Sequence, residues 1–171
     1  MKKRIFYIGI LPLMLALSSC GVYSFTGGSI SVGMKTVSVI LFENNAQLVV
    51  PNLSQTFTEA LKDRIRTQTG LSFLRTDGDA NFTGSITNYS LSSVAIQGNQ
   101  QNTAGLTRLS ITVQVKYTNK IELDKSFDQS FTRFVDFSTQ SGAFAIQEQS
   151  LIKNINLQLT EDIYNRAFAN W

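Results

Sequence analysis

The cleanest pattern along the chain is a strict alternation between Thr107 and Tyr117. Leu109, Ile111, Val113, Val115 and Tyr117 fall on one side of it, and Arg108, Ser110, Thr112, Gln114 and Lys116 on the other. Successive side chains of a strand point to opposite faces, so the segment predicts a strand with one buried and one wet face. A turn around Asn119-Lys120 leads to a second amphipathic strand over Leu123 to Phe137. Phe127, Phe131 and Val135 share one face of it, with Glu122, Asp124 and Asp128 assigned to the other. Upstream, Thr36 to Phe42 has the Val, Ile and Phe content of a buried strand. Leu71 to Arg75 reads as a short strand. Ala80 to Ile96 reads as a longer one carrying Phe82, Ile86 and Tyr89, with Gly84 as the expected site of a bulge. Between these two, Thr76-Asp77-Gly78-Asp79 carries the Asp-Gly signature of a hairpin turn.

Helical spacing appears twice. Leu53, Phe57, Ala60, Leu61 and Ile65 form the first apolar stripe, and Ile152, Ile155, Leu159, Ile163 and Ala167 the second. Asn52 is the expected N-cap of the first helix, with Gln55 completing a capping box, and Gly70 offers its stop. Glu59, Lys62, Asp63 and Arg66 lie on its other side and read as a solvated face. The stretch from Gln97 to Gly105 is polar and uncharged, the composition of a long hairpin loop, and residues 138–145 form a Ser/Gly loop. A helix with one apolar stripe needs a sheet face to bury it. The expected fold is therefore α+β, with two helices packed on one face of a roughly four-stranded sheet and a polar face left open.

The amino terminus follows a different logic. Lys2, Lys3 and Arg4 precede an apolar run from Ile5 to Leu17, and Leu17-Ser18-Ser19-Cys20 closes it. This run is too short to span a hydrocarbon core, which takes about 20 residues. It resembles a bacterial lipoprotein signal, in which the cysteine thiol is diacylated and the chain is cut before it. The alternatives are an ordinary secretory signal with a chance cysteine, or an uncleaved anchor. The expected organisation is a signal peptide over 1–19, a lipidated arm over 20–35 and a single domain over 36–171. In the arm, Tyr23 and Phe25 either pack onto the domain or sit near the membrane interface.

Removing the signal changes the charge. The whole chain has 15 basic and 12 acidic residues, and the three basic residues of the signal leave a neutral remainder. The net positive charge therefore belongs to targeting and gives no footprint for nucleic acid. Histidine is absent and Cys20 is the only cysteine, which excludes Ser-His-Asp and Cys-His hydrolysis and His-ligated zinc. There is no phosphate loop, dinucleotide fingerprint or EF-hand spacing. Asp77 and Asp79 supply too few ligands for calcium. A pair of carboxylates can hydrolyse sugars, yet nothing in the sequence singles out a pair. No metal, cofactor or catalytic residue is expected. On the wet face of the alternating strand, Arg108 and Lys116 can contact phosphates as charged donors. Cross-strand ion pairs with the acidic residues nearby are the plainer use for them.

Several stretches resemble the lipopolysaccharide-assembly lipoproteins, LptE-like and of the Bacteroidetes type. They are Cys20-Gly21-Val22-Tyr23-Ser24-Phe25-Thr26-Gly27, the run from Leu53 to Asp63, Val94-Ala95-Ile96-Gln97-Gly98, Thr112-Val113-Gln114-Val115-Lys116-Tyr117 and Glu161-Asp162-Ile163-Tyr164-Asn165. The resemblance covers essentially the whole chain after the signal, and its specificity lies in the combination. It implies two helices on a four-stranded sheet, no enzymatic activity, and a lipid anchor at Cys20 on the periplasmic side of the outer membrane. It also implies partnership with an LptD-like β-barrel that inserts lipopolysaccharide into the outer leaflet, with the lipoprotein seated largely inside the barrel as a plug. No lipopolysaccharide-contacting motif aligns, so Arg108 and Lys116 stand as contact candidates on strand pattern alone. Two other functions compete: a periplasmic adaptor or binding lipoprotein unrelated to lipopolysaccharide, and a carboxylate-dependent hydrolase of cell-wall sugars.

Overall fold

The computed structural model describes residues 30–94, 106–138, 140 and 142–169. Cys20, the first part of the arm with Tyr23 and Phe25, the uncharged loop 97–105 and Trp171 lie outside the described residues. The extended segments become β1 Thr36–Val39, β2 Glu43–Asn44, β3 Ser72–Leu74, β4 Ala80–Ser93, β5 Leu106–Asn119 and β6 Phe127–Ser138. Helix α1, Leu53–Gln68, separates β2 from β3, and helix α2, Phe144–Phe168, follows β6. All strands join one sheet in the order β3-β1-β4-β5-β6, with β2 also alongside β4. β3, β1 and β4 run parallel, while β4, β5 and β6 form antiparallel pairs.

The α+β architecture is the expected one, and the sheet has six strands where roughly four were expected, because the two-residue β2 and the three-residue β3 also join it. The ladder of Thr36 to Phe42 ends at Val39. The Phe42 amide turns away to donate to the Thr58 hydroxyl of α1 at 3.1 Å, which carries the Phe42 ring into the core. Pairing with β4 resumes at Glu43.

The Asp-Gly segment does not form a hairpin. β3 and β4 both run parallel to β1 and flank it, so residues 75–79 must cross that strand. Gly78 lies flat on β1, where an added Cβ would stand 2.8 Å from the Ser38 nitrogen and the Val37 carbonyl carbon. Asp79 then ties the crossing down, accepting from the Lys35 and Thr36 amides, each at 2.9 Å, and from the Thr36 hydroxyl at 2.8 Å. Backbone donors favour the charged carboxylate, which holds the Asp79 pKa below its ordinary value.

The expected bulge moves from Gly84 to Thr87, where the register between β4 and β5 shifts. The extra residue lets Ile86 and Tyr89, three apart, both face the core. Gly84 is instead required by close packing, since a Cβ there would meet the Gln114 carbonyl oxygen and the Phe42 ring.

At the start of α1, Asn52 adopts a left-handed conformation and its side chain caps nothing, so no capping box forms. Its carbonyl instead accepts from the Thr56 amide and hydroxyl, each at 2.8 Å. Thr69, ahead of Gly70, closes the helix: its amide and hydroxyl both bond the Ile65 carbonyl. The charges on the outer side of α1 pair locally, Lys62 with Glu59 at 2.9 Å and Arg66 with Asp63 at 2.5 Å.

Leu53, Phe57, Leu61 and Ile65 of α1 and Ile155, Leu159 and Ile163 of α2 are buried, as are Phe82, Ile86, Leu109, Ile111, Val113 and Val115 of the sheet. Each such side chain contributes about 1.5–3 kcal/mol over remaining exposed. Phe82, Tyr117 and Phe168 form an aromatic cluster with ring centroids 4.7–6.0 Å apart. Residues 30–35 belong partly to this body. Met34 is buried, and Ser31 accepts from the Asn119 amide group at 3.0 Å while donating to Glu122.

Candidate interface: the open face of the sheet

The apolar stripes of α1 and α2 cover one side of the sheet, and the other side is built from three long strands. Register fixes its composition. On β5, Arg108, Ser110, Thr112, Gln114 and Lys116 stand opposite Ser92, Ser90, Asn88, Ser85 and Thr83 of β4. On the other side they stand opposite Asp136, Phe134, Thr132, Ser130 and Asp128 of β6. The middle of the face is a lane of small hydroxyl and amide side chains, with charge only toward its two ends.

Local hydrogen bonds tie the strands of this lane together. The Thr112 and Thr132 hydroxyls meet at 2.9 Å. Gln114 donates to Asp128 and accepts from Ser130, so a single carboxamide bridges two residues of the neighbouring strand. At one end Arg108 makes a two-pronged pair with Asp136, at 2.7 and 2.9 Å. Its guanidinium carbon also lies 3.7 Å from the Phe134 ring centroid, a stacked cation–π contact. The Arg108 hydrogen bond holds the Asp136 pKa below the usual carboxylate value, and the same bond raises that of Arg108.

Both phosphate-contact candidates therefore sit on the open face, roughly 26 Å apart along β5. They are not equivalent. Arg108 is already engaged by Asp136 and Phe134, whereas Lys116 is exposed and has no ion pair among the described residues. The acidic neighbours expected on β6 are only partly there. Asp128 is on the strand, but Glu122 and Asp124 fall in the turn before it, where Asn119 accepts from the Ile121 and Glu122 amides. The turn at Asn119-Lys120 consumes the chain that was assigned to β6. Sequence reasoning passed over Asp136 and Phe134, which only the β5–β6 register places beside Arg108.

A concavity of about 940 Å³ lies between α1 and α2. Its lining includes Val50, Leu53, Ala60, Ile152 and Leu157, with Glu59, Asp63, Arg64 and Lys153. Glu59 and Asp63 are ion-paired along their own helix, and no group of three potential metal ligands occurs among the described residues. No helix among the described residues is long and apolar enough to cross a membrane.

Together these features define a small helix-on-sheet domain that presents a broad, hydrogen-bonded polar surface. Residues 34–167 match the model of the LptE family, described as lipopolysaccharide-assembly, and the chain belongs to that family. The family is non-enzymatic, and membership assigns the chain to lipopolysaccharide assembly. No curated protein sequence matches the chain.

Two solved structures, with TM-scores of 0.50 and 0.51, share the fold at low identity. One is a putative neuraminyllactose-binding hemagglutinin homolog from Helicobacter pylori, at 9% identity and TM-score 0.51, with 84% of this chain and 88% of that one covered. Another is a hypothetical protein from Chlamydia trachomatis, at 13% identity and TM-score 0.50, with coverages of 77% and 95%. A minor lipoprotein from Acinetobacter baumannii is 16% identical, with TM-score 0.47 and coverages of 80% and 97%.

Proposed function

We propose that the protein is a lipoprotein of the outer membrane, tethered on the periplasmic side through lipid on Cys20. Its open sheet face lies against the inner wall of an LptD-like β-barrel that inserts lipopolysaccharide, so that it plugs the barrel and assists its assembly. The observation that carries this reading is the face itself, which is broad, internally hydrogen-bonded and nearly charge-balanced, in a chain of the lipopolysaccharide-assembly family. A barrel lumen is polar, and the lane of Ser, Thr, Asn and Gln between the charged ends of this face can meet it without burying unpaired charge. Each acyl methylene contributes about 0.8 kcal/mol to membrane attachment, so several chains make a durable tether where one is marginal. Tethering also raises the local concentration of the domain at its barrel, so moderate contacts suffice.

Lys116 is the stronger candidate for lipopolysaccharide phosphate, because Arg108 must first leave Asp136. Purification of the tagged full chain from outer-membrane extracts tests the assignment. The expected result is stoichiometric recovery of one large β-barrel, with Cys20→Ser lowering the yield. Recovery of the chain alone, with the barrel intact in the same extract, would overturn it. In lipopolysaccharide-binding assays on the purified complex, Lys116→Ala is expected to weaken binding more than Arg108→Ala.

A further inference from the structure

The two helices are joined by polar contacts only toward their C-terminal ends. Arg64 donates to the Leu157 carbonyl at 3.0 Å and approaches Glu161 at 3.8 Å, and the Tyr164 hydroxyl donates to the Gln68 carbonyl at 3.3 Å. These pairings set α1 and α2 side by side in the same direction. Ahead of Arg64, no hydrogen bond or ion pair among the described residues links the two helices. The groove of about 940 Å³ runs between them, with Leu53 and Ala60 on one wall and Ile152 and Leu157 on the other. Its apolar surface continues outward. Leu157 is half exposed, and Leu48 and Val49, which lead into the lining residue Val50, are 54% and 74% exposed.

One lining residue breaks this apolar pattern. Asn156 of α2 is 1% exposed, and neither its Nδ2 nor its Oδ1 has a hydrogen-bond partner among the described residues. Buried polar groups are nearly always paired, and a buried carboxamide unpaired at both atoms destabilises the fold. A leucine has almost the same shape and would carry no such cost. Folding therefore does not account for Asn156, whereas a ligand with a donor and an acceptor side by side does. Because the carboxamide holds no hydrogen bond, none is broken when it turns from beneath its neighbours toward the groove.

We propose that the groove binds an acyl chain joined to its headgroup by a secondary amide. Asn156 pairs with that amide, Nδ2 donating to its carbonyl and Oδ1 accepting from its N–H, while the apolar walls take the chain. An ester offers the carbonyl without the N–H and leaves Oδ1 unpaired. An apolar pocket discriminates weakly between similar chains, but a site built to hydrogen-bond a group rejects the analogue that lacks it. A peptide is a poorer match, since it brings a further amide with every residue to a groove with one unpaired carboxamide. Lipopolysaccharide carries amide-linked acyl chains, so the inference rests on the assignment to lipopolysaccharide assembly. It does not rest on the barrel contact or on Lys116, which belong to the other side of the sheet.

Photolabelling of the full chain in lipid nanodiscs tests the proposal. The probes are N-myristoylglucosamine with a diazirine on its acyl chain and the corresponding myristoyl ester of glucose. Label from the amide is expected in the peptides of α1 and α2 that line the groove, half-saturating at about ten-fold lower concentration than the ester. Asn156→Leu should bring the amide down to the level of the ester while its thermal midpoint stays at or above that of wild type. Ala60→Trp, which fills the groove from the facing wall, should abolish labelling by both. O-deacylated lipopolysaccharide, which keeps only its amide-linked chains, and an N-palmitoylated lipopeptide serve as competitors. Displacement by either supports the site and names its source, and displacement by neither overturns it. Equal labelling by amide and ester, label gathered outside the two helices, or unchanged labelling of Asn156→Leu would each overturn it as well. So would a lowered midpoint in Asn156→Leu, which would assign the carboxamide to folding. None of these readings involves recovery of the β-barrel, so either proposal can fail with the other intact.

Discussion

The two faces of this sheet share a backbone and follow opposite rules. On the helix side, Leu109, Ile111, Val113 and Val115 are fully buried under α1 and α2. On the open side, Ser110, Thr112 and Gln114 alternate with them, partly exposed, and Thr112 and Gln114 are bonded to β6. Burial of apolar area drives the first face, and exchanging water hydrogen bonds for protein ones adds comparatively little on the second. The helix side holds the fold together, and the open side is free to be specified by a partner.

The largest break in this comparison comes from the buried side. Phe82 contacts the Tyr117 and Phe168 rings, with centroids 4.7 and 5.9 Å away, and is fully buried. Phe82→Ala removes the keystone of that cluster and leaves a cavity, so it is expected to destabilise the protein by about 3–5 kcal/mol. Urea unfolding followed by circular dichroism checks this. A loss under about 1 kcal/mol would mean that the cluster adjusts freely.

A smaller loss is expected from Gly78→Ala, where the crossing chain lies on β1. The new methyl group would meet the Ser38 nitrogen and the Val37 backbone at 2.8–2.9 Å, and backbone cannot step aside as a side chain can. About 1–3 kcal/mol is expected, the usual effect of overpacking, read from the same urea midpoints. Near-wild-type stability would show that the crossing can lift off the strand.

Thr112→Ala probes the open face, where the side-chain hydrogen bond to Thr132 would be lost. Stability should stay within about 0.5 kcal/mol of wild type, as for most surface changes. Ser110→Trp places bulk on the same lane and should fold normally while reducing recovery with the β-barrel. Equal recovery would detach the open face from partner binding and leave the comparison with the buried face purely structural.

How much of this was legible beforehand follows the same division. The buried stripes of β5, α1 and α2 were readable because burial imposes a period on the sequence, and Leu109 to Tyr117 or Ile152 to Ala167 carry that period plainly. The bulge was half readable: the three-residue gap from Ile86 to Tyr89 breaks a period of two, yet Gly84 drew attention away from Thr87. Asp-Gly misled because local turn chemistry cannot report that β3 and β4 lie on opposite sides of β1. The Asn52 capping box failed for a similar reason, since a left-handed backbone at that residue keeps its side chain from the helix amides. On the open face, Arg108 was visible, but Asp136 lies 28 positions away, and only register makes them neighbours. A polar face has no period of its own to betray its partners.

The smallest expected effect is a pH dependence, and it belongs to that Arg108–Asp136 pair. The Arg108 hydrogen bond, offset in part by burial, holds the Asp136 pKa below its ordinary value of 3.8 in the folded protein. A carboxyl whose pKa is lower folded than unfolded binds more protons when unfolded, so its share of stability rises with pH. That share is fully present above the ordinary carboxylate pKa and is lost as pH falls through the depressed one. Asp136→Asn removes the titration. The gap between the urea midpoints of wild type and Asp136→Asn should therefore be largest at neutral pH and close as pH falls below the ordinary carboxylate value of 3.8 and through the depressed one. It should also narrow in about 1 M salt, because both side chains remain about one-third exposed. A gap that stays constant across this range would mean that the pair acts through the stacking of Arg108 on Phe134, and that charge on the open face contributes nothing to folding.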